Sequence, residues 1–434
     1  MRSPSSYQRI LYRRALRSTL TALLLRAGKG PEWRRFALDR WGYLPAAIAR
    51  SASGRPTIWI SSAPGGELVQ TYSFCGRLKE ALPECRIFLS TTNARSLGFA
   101  RTVPGTDDVF FTPWDLPGPV RRALRTVRPR LVLAVEAALD PILYREARRL
   151  GATTMLASGY MANRYDRHPT YRHATAHGVF EHLDWVGAKS EEDRRGFLDL
   201  GVPPERVAVL GDLRYDLEYL RVPEAERSRW REMLGLGLDE RLIVAGSVRA
   251  GEEELVIDGY LEARRSLPGL RLLVAPRFPQ EAKLVSAALE ARGEPFLRRT
   301  ELRGGLSRGV LILDSFGELA RLYSQAAFVF LGGSVFPQDG VGLGQNLIEP
   351  LAHGAPIFFG PHMNHWADIV ALMAAIYPGL WVTESGELAR GIVELARRPD
   401  LVGRLQALAL TVMKERSGGL DQHVTFIGKL LAGA

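Results

Sequence analysis

Charged residues stand where short apolar runs end, the positions at which a parallel α/β chain presents its chemistry. Glu67, in SSAPGGEL, opens the helical pattern that follows TIWISS (57–62). A helix N-terminus keeps such a carboxylate ionised, which suits a general base, although an acid in a first helical turn is equally an ordinary structural choice. Glu136 directly follows RLVLAV (130–135), and a charge after an apolar strand is hard to assign to plain surface. Arg214, in GDLRYD after RVAVL (206–210), can offer its guanidinium to a phosphate or carboxylate, or simply to solvent. In the second half, Pro276 and Arg277 follow RLLVA (271–275), and a strand-end arginine is a good phosphate ligand. Gly246 and Ser247 lead through Gly251 and the acidic run Glu252 to Glu254 into a helix, which reads as a phosphate loop or as a capped helix. Phe316, Gly317 and Glu318 begin another helix in DSFGELARLY.

The stretch Leu331 to Pro361, LGGSVFPQDGVGLGQNLIEPLAHGAPIFFGP, reads as a strand end, a glycine-rich loop, a short helix and another strand. Asn346 and Glu349 fall at the mouth of that helix, where free N–H groups can seat a phosphate and a carboxylate can take the hydroxyls of a ribose. The same residues also spell a capping box, Asn-x-x-Glu, which needs no ligand. No Asp-x-Asp occurs, so a metal-bridged diphosphate has no obvious ligands and no metal is expected.

The elements that must position these groups alternate short apolar strands with helical periodicity. TIWISS, RIFLST (86–91), RLVLAV, TTMLAS (153–158) and RVAVL are separated by helical segments such as Glu67–Leu82, Pro141–Leu150 and Glu191–Leu200. A charged helical stretch follows Leu217, and a second series runs through LIVAG (242–246), RLLVA, VLIL (310–313), FVFLG (328–332) and PIFF (356–359). The pattern predicts an α/β fold of two Rossmann-like, doubly wound domains, about residues 30–216 and 240–434, joined by a linker at 217–239 and facing a central cleft.

At 434 residues the chain has length for two such cores. Its net charge of +10 points to an anionic partner. Nucleic acid is the weakest candidate and is not expected as that partner, because no recognisable binding motif is present. Cys75 and Cys85 form neither a CxxC pair nor a metal set, so a reduced, cytoplasmic setting is expected. His168, His173, His177 and His182 miss the usual paired-ligand spacings and read as surface. Residues 1–29 mix Arg9, Arg13, Arg14 and Arg17 with a leucine cluster but never approach the ~18 apolar residues of a membrane span. They read as a basic amphipathic segment that lies on an anionic membrane surface, or as a solvated helix.

With these pieces in order, the chain resembles the 3-deoxy-D-manno-octulosonic acid (Kdo) transferases of lipopolysaccharide assembly, over roughly residues 30 to 425. That resemblance implies the GT-B fold and an inverting, metal-independent transfer from CMP-Kdo. WISSAPGGE matches the family's W-x-H-A-x-S-x-G-E, making Glu67 the base. LAVEAAL stands for V-E-T-E-L-W-P and aligns Glu136 with the first glutamate, which supports the transition state. GDLRYD resembles G-N-L-K-F-D, with Arg214 in the place of the lysine. APRFP, DSFGEL and GQNLIEP resemble A-P-R-H-P, D-T-M-G-E-L and G-H-N-P-L-E-P, implying that Pro276, Arg277, Phe316, Gly317, Glu318, Asn346, Leu347, Ile348 and Glu349 hold the CMP. FGPHM (359–363) matches unchanged.

The departures lean toward the first half. Ser61 and Pro64 replace a histidine and a serine, Ala138 a glutamate, Asp140 a tryptophan, and Ser158 to Ala162 stand for N-A-R-L-S. In the second half Phe278 and Gln345 replace histidines. In GT-B enzymes the N-terminal domain takes the acceptor, so this distribution implies a kept CMP-sugar donor and an altered acceptor. The expected partners are that donor and an anionic lipid or glycan, met at the cytoplasmic face of the inner membrane. A paralogue serving a capsule glycan or secondary metabolite, and a non-catalytic CMP-binding scaffold, are the alternatives.

Overall fold

The computed structural model describes residues 31–62, 66–92, 94–136, 140–161, 178–216, 220–306, 309–315, 317–336 and 344–433, with the backbone alone at residues 31, 32, 66, 67, 94 and 95. The chain divides into two compact units. One is built from the chain up to Leu217 and again from Arg416, the other from Glu218–Glu415.

The first unit is a sheet of seven parallel strands: β1 (Thr57–Ser62), β2 (Arg86–Thr91), β3 (Asp108–Phe111), β4 (Leu131–Val135), β5 (Thr153–Gly159), β6 (Trp185–Ala188) and β7 (Val207–Val209), in the order β3-β2-β1-β4-β5-β6-β7. The second is a sheet of six parallel strands: β8 (Arg241–Val248), β9 (Leu270–Pro276), β10 (Phe296–Arg298), β11 (Val310–Ile312), β12 (Ala326–Leu331) and β13 (Ile357–Phe359), in the order β10-β11-β9-β8-β12-β13. Helical crossovers cover both faces of such a sheet, so its strands bury both sides and read as continuous apolar runs. β1 and β4 do so at every position. Strand order reverses between β1 and β4 in the first unit and between β8 and β12 in the second, and each reversal opens a crevice at the strand C-termini.

The strands expected from the sequence are present, with ends shifted by a residue or two. β3, β6 and β10 were not anticipated; DVFF, WVGA and FLR mix a charge or a glycine into four, four and three residues, whereas the equally short β7, β11 and β13 lie in unbroken apolar runs. The domain limits also differ. The supposed linker contains the helix Glu224–Met233, which belongs to the second unit, where Arg321 pairs with Glu226 and Gln325 donates to the Arg227 carbonyl at 3.1 Å. The final helix, Gly419–Ala432, returns to the first unit instead of completing the second, because Leu420, Val424 and Ile427 join the core of Ile58, Leu68 and Phe74. The segment 1–29 lies outside the described residues. Among the described residues, no helix is long and apolar enough to cross a membrane.

His423 fastens that returning helix. Its imidazole is fully buried, with Nδ1 2.7 Å from the Gly419 carbonyl and Nε2 accepting from the Ser158 N–H at 3.0 Å. A Cβ on Gly187 would stand 2.7 Å from that Nε2, so the glycine makes room for the ring. The two contacts require the neutral ring protonated on Nδ1, since a second proton on Nε2 would face an N–H. Burial accordingly pulls the pKa down to about 4. Unfolded histidine titrates near 6.5, so below that pH the unfolded chain binds the extra proton and folding stability drains away as pH falls toward 4. We expect up to about 3 kcal/mol of acid-induced loss in this window, read from urea midpoints of the full chain. H423Q should flatten it, and an unchanged pH slope in that variant would refute the assignment.

Candidate active site

The first unit gathers its charges at the C-terminal ends of β4, β6 and β7. Glu136 turns out of β4 with a left-handed backbone, φ 61°, and its N–H reaches the Ala157 carbonyl of β5 at 2.8 Å. Ser158, beside it on β5, is also left-handed at φ 52°. Non-glycine residues in that region cost energy and cluster where function holds them. The Glu136 carboxylate accepts from Lys189 Nζ at 2.6 Å and from Gln70 Nε2 at 3.0 Å. Lys189 follows β6 directly; its ammonium is 3.7 Å from Asp212 and 5.3 Å from the Tyr160 ring centre. Asp212 in turn accepts both Nε and Nη2 of Arg214, at 3.0 and 2.6 Å.

This alternating row of two carboxylates and two cations fixes its own ionisation. Burial pushes the Glu136 carboxyl up, but Lys189 and Arg214 outweigh it and hold the group at about 2. Against the same burial, Arg214 and Lys189 depress Asp212. Burial opposes the charge on Arg214 as well, yet Asp212 and Glu136 raise its pKa. All three therefore stay charged through the neutral range. Gln70 Oε1 is buried without a hydrogen-bond partner among the described residues.

Glu67 lies at the start of the helix Gly66–Ala81, one turn before Gln70. Its backbone is thus placed close to the element that touches Glu136. Arg214, expected to offer its guanidinium to a phosphate or a carboxylate or to solvent, has its fork engaged by the Asp212 carboxylate. Two of the residues at which the chain leaves the family pattern also meet: Ser61, at the end of β1, hydrogen-bonds Asp140, whose carboxyl is raised by burial while Arg40 and Ser61 counteract. Lys189 was missed because β6 was missed. It carries the same signal as Glu136, a charge immediately after an apolar run.

In the second unit the organising group is Glu252, the first residue of the helix Glu252–Ser266. Its carboxylate is wholly buried and accepts four backbone N–H groups: Arg249 at 2.9 Å, Gly333 at 2.7 Å, Ser334 at 3.0 Å and Val335 at 2.9 Å. The loop after β8 and the loop after β12 are thereby tied to one acid. Gly246 is required at this point, since a Cβ would fall 1.8 Å from Tyr323 Oη.

Around that knot stand the residues expected to hold a nucleotide. Pro276 ends β9 and Arg277 follows, its guanidinium 5.5 Å from the Phe278 ring centre. Desolvation and the neighbouring Arg249 lower the Arg277 pKa, while Glu349 partly restores it. Glu349 is therefore close enough to Arg277 to be felt by it. Gly317 has φ 86° and open space where a Cβ would project. Glu318 pairs with Arg299 at 2.8 Å and accepts from Ser315. Phe316 lies outside the described residues, as does most of the glycine loop, 337–343. The helix after that loop, Ile348–Leu351, is a single turn, and Asn346 Oδ1 accepts its Ile348 N–H at 3.1 Å. Asn346 is thus a cap, and the expected helix-mouth phosphate seat has little helix behind it. Leu347 and Ile348 bury their side chains completely.

A family model described as 3-deoxy-D-manno-octulosonic-acid transferase (kdotransferase) matches residues 37–217. The 3-deoxy-D-manno-octulosonic acid transferase of Haemophilus influenzae is 25% identical over 91% of both chains. That of Bordetella pertussis is 29% identical over 78% of each. Among solved structures, UDP-GlcNAc 2-epimerase of Neisseria meningitidis matches with a TM-score of 0.58 at 12% identity, over 87% of this chain and all of that one. Anabaena HepE in complex with UDP and glucose matches with a TM-score of 0.57 at 15% identity, over 88% of this chain and all of the other. These likenesses establish the fold, two Rossmann-like units of the GT-B type. The family match over residues 37–217, with relatives at 25% and 29% identity over most of the chain, makes this chain similar to the 3-deoxy-D-manno-octulosonic acid transferases, which are glycosyltransferases.

Proposed function

We propose that the chain transfers Kdo, or a related ulosonic acid, from its CMP ester to a hydroxyl of lipid A precursor or a kindred glycolipid, with inversion and without a metal. The observation that carries this reading is the charge row Glu136–Lys189–Asp212–Arg214. In a single displacement the acceptor oxygen bonds to the anomeric carbon, that carbon's bond to the phosphate oxygen breaks, and CMP departs with the electron pair. The acceptor proton must go to a base. Glu136, held at about 2, is too acidic for that work but well suited to face positive charge growing on the sugar ring. Glu67 is left as the base, one helical turn from Gln70.

Arg277 neutralises the departing phosphate in this scheme, and Pro276, Phe316, Gly317, Glu318 and Glu349 line the nucleotide, with Asn346, Leu347 and Ile348 contributing backbone. Ser61 and Asp140, hydrogen-bonded to each other where the family has histidine and tryptophan, favour an acceptor that differs from the family's. The basic segment 1–29 would then bring the enzyme to the anionic cytoplasmic face of the inner membrane, where a lipid acceptor resides.

Incubating the purified chain with CMP-Kdo and lipid A precursor should give a Kdo-bearing product by mass spectrometry; donor left intact with that and other glycan acceptors would overturn the reading. E67Q should cut turnover by about 100-fold or more with CMP affinity unchanged in calorimetry, and wild-type turnover would remove Glu67 from the base role. K189M strands Glu136 in the interior without its nearest cation. It should cost about 3–5 kcal/mol in urea unfolding, and E136Q/K189M should recover part of that loss. Strictly additive effects would show that the two groups are not coupled.

A further inference from the structure

Arg249 and Phe278 take no part in the roles assigned so far. Arg249 leaves the end of β8 in the loop whose N–H is pinned by Glu252 at 2.9 Å. Ser247, two residues earlier, is left-handed at φ 56°, so this loop is held in a costly shape. The Arg249 guanidinium stands 5.7 Å from the Phe278 ring centre, and that of Arg277 stands 5.5 Å from the same ring. Among the described residues neither side chain has a hydrogen bond or ion pair. Phe278 itself is 39% exposed. Two guanidinia brought to one exposed aromatic ring repel each other, Glu349 and Glu281 offset that only in part for Arg277, and an anion settling on the pair would relieve it. Both guanidinia lie within cation–π range of the ring, and among the described residues their N–H groups make no hydrogen bond.

We propose that Arg249 and Phe278 form a second anion seat beside Arg277, one that selects a donor carrying a carboxylate in addition to its phosphate. The inference rests on the donor reading above and sharpens it. Arg277 takes the phosphodiester, Arg249 takes the carboxylate on the anomeric carbon of an ulosonic acid, and the Phe278 ring keeps the two forks apart. A CMP-linked sugar without that carboxylate leaves Arg249 unanswered. Arg249 is in this sense a specificity-determining residue, and its contribution is invisible to CMP alone.

The test is calorimetry on the full chain with three probes. These are CMP, a non-transferable CMP-ulosonate in which methylene replaces the bridging oxygen, and the same compound with its carboxylate reduced to hydroxymethyl. Wild type should bind the carboxylate compound about 10- to 100-fold more tightly than the hydroxymethyl one, the scale of a charge-assisted hydrogen-bonded pair. R249Q should erase most of that difference and leave CMP affinity within about two-fold. R249K, which keeps the charge without the fork, should restore part of the preference. F278A should narrow the preference as well. A carboxylate preference that survives in R249Q overturns the proposal. So does a parallel loss for CMP and the carboxylate compound, which would place both arginines on the phosphate. Wild type failing to bind CMP at all would instead overturn the donor assignment, and this seat with it.

Discussion

An ammonium caught between two carboxylates sets the terms for the first unit. Lys189 is almost fully buried, and the cost of desolvating it is met only because Glu136 and Asp212 lie within reach, with Arg214 closing the row. The four side chains come from the ends of β4, β6 and β7, with β5 between the first two, so their registry depends on the parallel order β4-β5-β6-β7. A one-residue slip of β6 would turn Lys189 to the opposite face and leave two acids and an arginine facing one another. The left-handed backbone at Glu136 is the local cost of that registry, since it aims a carboxylate back toward its neighbours at the point where the chain must turn away. Ionisation and folding are linked here through charge: the row that keeps Glu136 ionised also punishes loss of any single member.

The second unit solves a similar problem with one acid and no cation. Glu252 binds four backbone N–H groups and joins two loops that leave adjacent strands, β8 and β12. Because the donors are backbone groups, the knot specifies loop shape independently of the side chains around it. Arg249 inherits its position from this knot, and so does Gly333, whose φ of 66° suits glycine. A loop fixed by backbone bonds sets where Arg249 begins without using its guanidinium, which stays beside the Phe278 ring.

Much of this was legible before any coordinates. Apolar runs ending in Glu136 and Arg277 announced strand C-termini, and both residues lie there. Glu67 falls in the first turn of its helix, as its spacing from TIWISS implied. What stayed hidden has physical reasons. β6 is four residues, WVGA, with a glycine in it, so neither it nor Lys189 stood out. The partner of Arg214 is two residues away, yet sequence alone could not say whether Asp212 would turn toward it or toward solvent. The role of Glu252 as a loop organiser depends on residues more than 80 positions distant, and no local pattern encodes that. Asn346 spelled both a cap and a ligand; its Oδ1 accepts the Ile348 N–H as a cap does, and the four-residue helix behind it was not legible in the sequence.

The helix carrying His423 has a consequence for the order of assembly. The first unit is interrupted by the second, and its last piece is translated after Glu415. On the ribosome the second unit can close as soon as it emerges, whereas the earlier strands must wait with the groove for Leu420, Val424 and Ile427 uncovered. The nascent chain thus passes through a stage in which its later half is native and its older half is still unsealed, the stage most exposed to chaperones and to self-association.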